Sequence, residues 1–168
     1  MPAGRALDAG CGHGAETLWL ATRGWEVTAV DFSASALAHG RAMADALGPS
    51  VAKRITWVEG DLASWAAPSG RFDLVVSLYV HIAGPVKAAI QKLGDAVAVG
   101  GTLLMIGHRP IDPATGAPTP AAGQVQVSVE DAIAVLDRDH WEVLVAEERP
   151  RAVAGSGVDS VIRARRLA

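Results

Sequence analysis

The run Leu7-Asp8-Ala9-Gly10-Cys11-Gly12-His13-Gly14 sets the tightest constraint on this chain: an apolar segment ends in an acid and meets three glycines at alternate positions. Side chains are removed where the backbone must turn sharply or lie close to something else. The helix-forming run Ala15-Glu16-Thr17-Leu18-Trp19-Leu20-Ala21 follows at once, and the first N–H groups of such a helix have no partner within it. Strand, glycine-rich turn and helix in that order open a nucleotide-binding βαβ unit.

The rest of the chain repeats the alternation, which predicts a parallel sheet covered by helices on both faces. The first strand spans Arg5 to Ala9 and its helix Ala15 to Arg23, stopped by Gly24. A second strand, Trp25 to Val30, ends in Asp31, and Ser33 caps a helix reaching about Leu47, closed by Gly48-Pro49. Ile55 to Val58 is a third strand, with Gly60-Asp61-Leu62 as its exit. Phe72-Asp73-Leu74-Val75-Val76-Ser77 is apolar and β-branched enough to be buried on both faces, and makes the fourth. A helix from about Pro85 to Ala98 leads through Gly100-Gly101 to a fifth strand, Thr102 to Ile106, and Ser128 opens one more helix. The last two strands, Trp141 to Glu147 and Asp159 to Ala164, have no helix between them, only a loop with Gly155-Ser156-Gly157. They must therefore form an antiparallel hairpin. Gly107 to Gln126, with Pro110, Pro113, Pro118 and Pro120, reads as a structureless lid or mobile segment.

Bulk properties narrow the partners. At 168 residues, half of them apolar, the chain is expected to form one domain over residues 1–168. A net charge of -3 with scattered Lys and Arg leaves no electrostatic footprint for nucleic acid, so a small-molecule partner is expected. One cysteine, Cys11, excludes an intrachain disulfide and fits a reducing cytoplasm. No apolar run reaches the roughly 20 residues of a membrane span, and no basic segment followed by an apolar one opens the chain, so a cytoplasmic protein is expected. Cys11 and His13 alone are too few for a zinc site, and no metal is expected.

Acids close the second and third strands, at the sheet edge where open α/β folds bind ligands. The two oxygens of Asp31 match the two vicinal hydroxyls of a ribose. Asp61 can accept from an exocyclic amine, and the neighbouring Phe32 and Leu62 can flank a flat purine. Trp19, Trp25, Trp57 and Trp141 read as core, while Trp65, in a connecting loop, is a candidate pocket wall.

On these residues the chain resembles the class I S-adenosylmethionine-dependent methyltransferases: Asp8-x-Gly10-x-Gly12-x-Gly14, Val27-Thr28-Ala29-Val30-Asp31, Gly60-Asp61-Leu62, Phe72-Asp73-Leu74-Val75 and Gly100-Gly101 stand in that family's order. The resemblance implies a Rossmann-like doubly wound sheet of seven strands, order 3-2-1-4-5-7-6 with strand seven antiparallel. The string Asp8 to Gly14 looks like the small-molecule branch that includes thiopurine- and tellurite-type enzymes. The implied activity is methyl transfer from S-adenosylmethionine to a small-molecule acceptor by direct in-line displacement. In that picture Gly10, Gly12 and Gly14 meet the methionine moiety, with Asp8 and Cys11 in the same cofactor-binding turn. Asp31 holds the ribose, Asp61 the adenine amine between Phe32 and Leu62, and Ser77 and Leu78 pass beneath the sulfur. Tyr79 and His81 fall where the family contacts methyl group and acceptor, and His81 is the candidate base. His108 is a second candidate, and Arg109 could meet an acidic substrate.

The resemblance also implies a helical segment ahead of the first strand; with that strand beginning at about residue 5, a shortened form without the segment is one expectation. The pocket roof is then expected from the Gly107 to Gln126 segment or another subunit. Two other readings stay open. The chain could bind S-adenosylmethionine without catalysis, or, since Gly10, Gly12 and Ala15 also satisfy G-x-G-x-x-G/A, it could be an NAD(P)-binding oxidoreductase.

Overall fold

A computed structural model describes residues 2–81, 84–112, 115–151 and 157–168. Pro113 of the expected lid, and Gly155 and Ser156 of the loop between the last two strands, lie outside the described residues. The elements run β1 (Arg5–Ala9), α1 (Ala15–Thr22), β2 (Glu26–Asp31), α2 (Ala34–Leu47), α3 (Pro49–Ala52), β3 (Ile55–Glu59), β4 (Phe72–Leu78), α4 (Val86–Ala96), β5 (Val97–His108), α5 (Val129–Val135), β6 (Trp141–Pro150) and β7 (Val158–Arg166). The seven strands form one sheet in the order β3-β2-β1-β4-β5-β7-β6. All pairs are parallel except β5 with β7 and β7 with β6. The expected order and terminal hairpin are both present.

Alternation along the strands sends successive side chains to opposite faces, and each face has its own core. Ala6, Val27, Ala29, Leu74 and Val76 meet Leu20 of α1 and Leu37 of α2. Leu7, Ala9, Val30, Val75, Leu103 and Ile162 meet Ile90 of α4 and Leu136 beyond α5. A sheet buried on both faces explains why its central strands read as continuous apolar runs. Arg166, on β7, donates from Nη1 to the carbonyls of Asp95 at 3.2 Å and Val97 at 2.7 Å, placing a cation at the carboxyl end of α4.

Three features of the backbone differ from the sequence expectation. Gly48-Pro49 does not simply close α2; it starts the extra turn α3, with Pro49 at the position where a missing N–H costs nothing. β5 begins at Val97 rather than Thr102, and its pairing with β4 shifts register between Phe72 and Leu74, which positive-φ Gly100 accommodates. Gly107 to Gln126 is not structureless in its described part. Thr119 N–H donates to Pro110 O at 3.0 Å, Ala122 N–H to Thr119 O at 3.0 Å, and Ile111 bridges Pro118. Local turns satisfy the backbone there without any repeat that hydrophobic periodicity could reveal. Trp19 also departs from the core expectation: it is 55% exposed, with the Arg23 guanidinium 3.9 Å from its ring centre.

No helix among the described residues is long and apolar enough to cross a membrane.

Candidate functional site

A cavity of about 560 Å³ opens at the carboxyl edge of the parallel strands, on the face covered by α4. Its wall includes Gly10 after β1, Asp31 and Phe32 after β2, Gly60 to Ala63 after β3, Ser77 to His81 at the end of β4, Trp65 and Ala67 from the β3–β4 connection, and Ala89, Lys92 and Leu93 of α4, with Leu78 left out of that run. The volume is in the range of small-molecule and cofactor sites.

Asp31 is the best-determined acid in this wall. It is 9% exposed; Gly12 N–H donates to Oδ2 at 2.9 Å and Ser33 N–H to Oδ1 at 2.9 Å. Each oxygen keeps a second acceptor direction for a ligand donor. Asp61 is exposed, its Oδ1 oriented by the Ala63 N–H at 2.9 Å, and Lys92 Nζ donates to Ala63 O at 2.6 Å, tying this turn to α4. Phe32 is 77% exposed at the cavity wall, a large ring with little protein around it. A Cβ built on Gly12, at φ +52, meets nothing within 4 Å, whereas one on Gly14 reaches 2.6 Å from Trp57 Cη2. The glycines of the turn thus serve different ends: Gly12 leaves open space, and Gly14 makes room for a tryptophan of β3. These features suit an adenosyl compound, with a diol acceptor, a planar apolar wall and an uncovered stretch of backbone.

Several expected site residues lie elsewhere. Asp8 is 3% exposed and points towards α1, accepting from Thr17 Oγ1 at 2.5 Å; burial pushes its carboxyl up to about 6 against the pull of that hydrogen bond. Cys11 is buried in the core beneath α1, where burial and then the charges of Asp8 and Asp31 push its thiol up to about 12. Leu78 packs on the α1–α2 face because it alternates with Ser77, which lines the cavity. Asp8, Cys11, Gly14 and Leu78 therefore shape the turn and the sheet rather than the cavity wall, and Gly12 also stands outside that wall, joined to it through its N–H bond to Asp31.

Tyr79 and His81 both reach the cavity. The Tyr79 hydroxyl donates to Asp159 Oδ2 at 3.0 Å, and burial and this carboxylate raise its ionisation above the ordinary phenol value, so it is no base at neutral pH. His81 Nε2 lies 3.0 Å from Gln124 Oε1, which also accepts from Gln126 Nε2 at 3.0 Å. A carboxamide oxygen only accepts, so Nε2 carries the proton and Nδ1 keeps the lone pair a base needs. His108 does not line the cavity; its Nδ1 lies 2.8 Å from Asp159 Oδ1. Arg109 is paired with Glu148 at 2.6 Å and Glu130 at 3.4 Å. Among the described residues no group of three or more His, Cys, Asp or Glu side chains gathers around one point.

Sequence reasoning missed the α4 wall and the partners Asp159, Arg151 and Gln124. Ala89, Lys92 and Leu93 do carry a signal, the i, i+3, i+4 spacing of one helix face. The others come from distant segments: Arg151 and Asp159 through the antiparallel hairpin, and Gln124 through the stretch between β5 and α5.

A family model described as a methyltransferase domain matches residues 6–101. A magnesium-protoporphyrin O-methyltransferase of Rhodobacter capsulatus is 37% identical over 93 residues, 54% of this chain and 39% of that relative. A release factor glutamine methyltransferase of Chlorobaculum tepidum is 45% identical over 91 residues, 51% of this chain and 30% of that relative. The matched stretch thus spans less than half the length of these curated relatives. An S-adenosylmethionine-dependent methyltransferase from Mesorhizobium loti superposes with a TM-score of 0.76 at 22% identity, covering 98% of this chain and 92% of its own, a likeness of fold.

Proposed function

This chain belongs to the class I S-adenosylmethionine-dependent methyltransferases, and from that premise we propose that it transfers a methyl group from S-adenosylmethionine to a small-molecule acceptor bound beside Tyr79 and His81. The observation that carries the reading is Asp31: a nearly buried carboxylate in the cavity wall, braced by two backbone N–H groups, with acceptor directions left for a diol.

When bound, S-adenosylmethionine supplies a methyl group already activated on a sulfonium. The protein's task is then alignment, which supplies several kcal/mol of a displacement barrier. Asp31 holds the ribose, Asp61 the adenine amine, and Phe32 and Leu62 exclude water from the purine faces. Gly12 would leave the backbone open to the methionine end, Gly10 makes room for Val80 of the same cavity wall, and Ser77, in that wall, would lie on the side of the reacting centre. His81 Nδ1 takes the proton from an acceptor hydroxyl or amine and hands it to solvent at the cavity mouth. A soft anionic acceptor such as a thiolate needs no such proton transfer.

A small acceptor is supported by the size of the cavity and by the scattered distribution of cations. The string Asp8 to Gly14 supports a place near the thiopurine- and tellurite-type branch. Family membership leaves the nicotinamide alternative without support.

Calorimetry with S-adenosylmethionine and its demethylated product, run beside a methyl-transfer assay on a panel of thiols, phenols, amines and oxyanions, tests the proposal. Binding of both compounds with turnover of a panel member is expected. Binding without turnover on any acceptor would reassign the chain as a non-catalytic binder, and absence of binding would end the reading.

A further inference from the structure

Resting on the reading that this cavity receives cofactor and acceptor, we infer that Asp159 is a positioning residue: from β7, two strands away from β4, it holds the ring of Tyr79 as a fixed wall of the acceptor side. Tyr79 follows β4 directly, at φ +59, and is the one non-glycine with positive φ among the described residues. That conformation is strained for a bulky side chain and persists only where the surroundings over-determine it.

The surroundings here come from three segments remote in sequence. Tyr79 N–H donates to Ile106 O of β5 at 2.7 Å, keeping the backbone in the ladder where it turns. The hydroxyl donates to Asp159 Oδ2, on β7, at 3.0 Å. The ring lies against His108 of β5, centroids 4.3 Å apart at an interplanar angle of 31°, and the Arg151 guanidinium stands 5.3 Å from the ring centre.

Asp159 is the hub of this group. It is 8% exposed and accepts from Tyr79, from His108 Nδ1 at 2.8 Å and from Arg151 Nε at 3.1 Å to both oxygens. Burial opposes its ionisation, but the hydrogen bonds from His108, Arg151 and Tyr79 outweigh that and hold its carboxyl below the ordinary range. Arg151 Nη2 lies 2.9 Å from His108 Nδ1 and 3.2 Å from Nε2. A carboxylate only accepts, so Nδ1 carries the proton towards Asp159, and Arg151 lies along the same edge of the ring. His108 is thereby held between Asp159 and Arg151 as part of the brace behind the Tyr79 ring. The cluster's one face towards the cavity is the Tyr79 ring, 41% exposed.

Tyr79 is the sole tyrosine of the chain, so tyrosinate absorbance and ring-labelled NMR signals report it alone. In the wild-type chain, with folding followed by circular dichroism at each pH, the phenol is expected to titrate above its ordinary value of about 10. Addition of S-adenosylmethionine is expected to shift the ring signals. In Asp159→Asn the titration falls towards the ordinary value and the ligand-induced shift is lost, while calorimetric affinity for S-adenosylmethionine is unchanged. An unaltered titration and shift in the variant overturns the inference. A wild-type phenol that titrates in the ordinary range overturns it without any variant, which keeps the test decisive if Asp159→Asn does not fold. A wild-type chain that fails to bind S-adenosylmethionine strikes the functional reading instead, and the two titrations then decide the role of Asp159.

Discussion

The Gly12 N–H and Asp31 Oδ2 stand 2.9 Å apart, so the acid that closes β2 also holds the glycine turn that follows β1. One carboxylate thereby couples two loops of the cavity edge, and the second oxygen does the same for the start of α2 through the Ser33 N–H. Asp31→Ala should weaken S-adenosylmethionine binding by roughly 1–3 kcal/mol, through loss of a charged acceptor and of the turn's brace. Asp31→Asn, which keeps one acceptor oxygen, should fall between it and wild type. Equal calorimetric affinities across the three proteins would remove the ribose role.

Gly12 and Gly14 separate ligand room from packing room. An alanine at Gly12 has open space but a positive φ, which costs about 1–2 kcal/mol in a non-glycine residue. It should fold with a modestly lowered melting temperature and bind the cofactor poorly. Gly14→Ala carries a comparable backbone penalty at φ +85 and drives its Cβ into Trp57, so it should lose more stability. Melting temperatures and calorimetry on both variants check the split; a Gly12→Ala protein with wild-type affinity would show that nothing approaches that turn.

Asp8 makes stability depend on pH. Its carboxyl is raised from 3.8 to about 6 by burial, so as pH falls the folded protein takes up this proton before the unfolded chain does. The stabilisation is complete below 3.8 and is lost as pH rises through 6, on the order of 3 kcal/mol in all. Urea unfolding of wild type and Asp8→Asn between pH 4 and 7 should give curves whose difference changes across that window. Parallel curves would mean that Asp8 ionises in the folded state as it does in the open chain.

His81→Ala should lower kcat by about 100-fold or more on an acceptor that must lose a proton, with cofactor affinity unchanged. Gln124→Ala, which frees the His81 ring without removing it, should cost less. Thiolate acceptors should be methylated equally by all three proteins. If hydroxyl or amine acceptors are also indifferent to the substitution, His81 is not the base.

The architecture was legible in the chain because period-2 and helical patterns are local. Alternating apolar segments, the Ser33 cap and the helix-free stretch between the last strands predict the elements to within a few residues, apart from the short turn α3, started by a Gly48-Pro49 pair that reads as a helix end, and β5, whose start at Val97 is masked by Gly100-Gly101. The edge acids were equally legible, since a residue that closes a parallel strand must lie where the sheet's ligands lie.

What only the tertiary structure decided is which of those residues face the cavity and what their atoms already bind. Strand alternation turns Ser77 inward and Leu78 away, and Asp8 spends its carboxylate on Thr17. Gly12 and Gly14 read alike in the chain and differ only because Trp57 stands beside one of them. Asp159 has no motif at all: it reaches Tyr79, 80 positions away, because β7 runs antiparallel beside β5 and brings its first residues to the edge where β4 ends. Local pattern determines the elements, but a hydrogen bond between segments that far apart exists only once the sheet has closed around it.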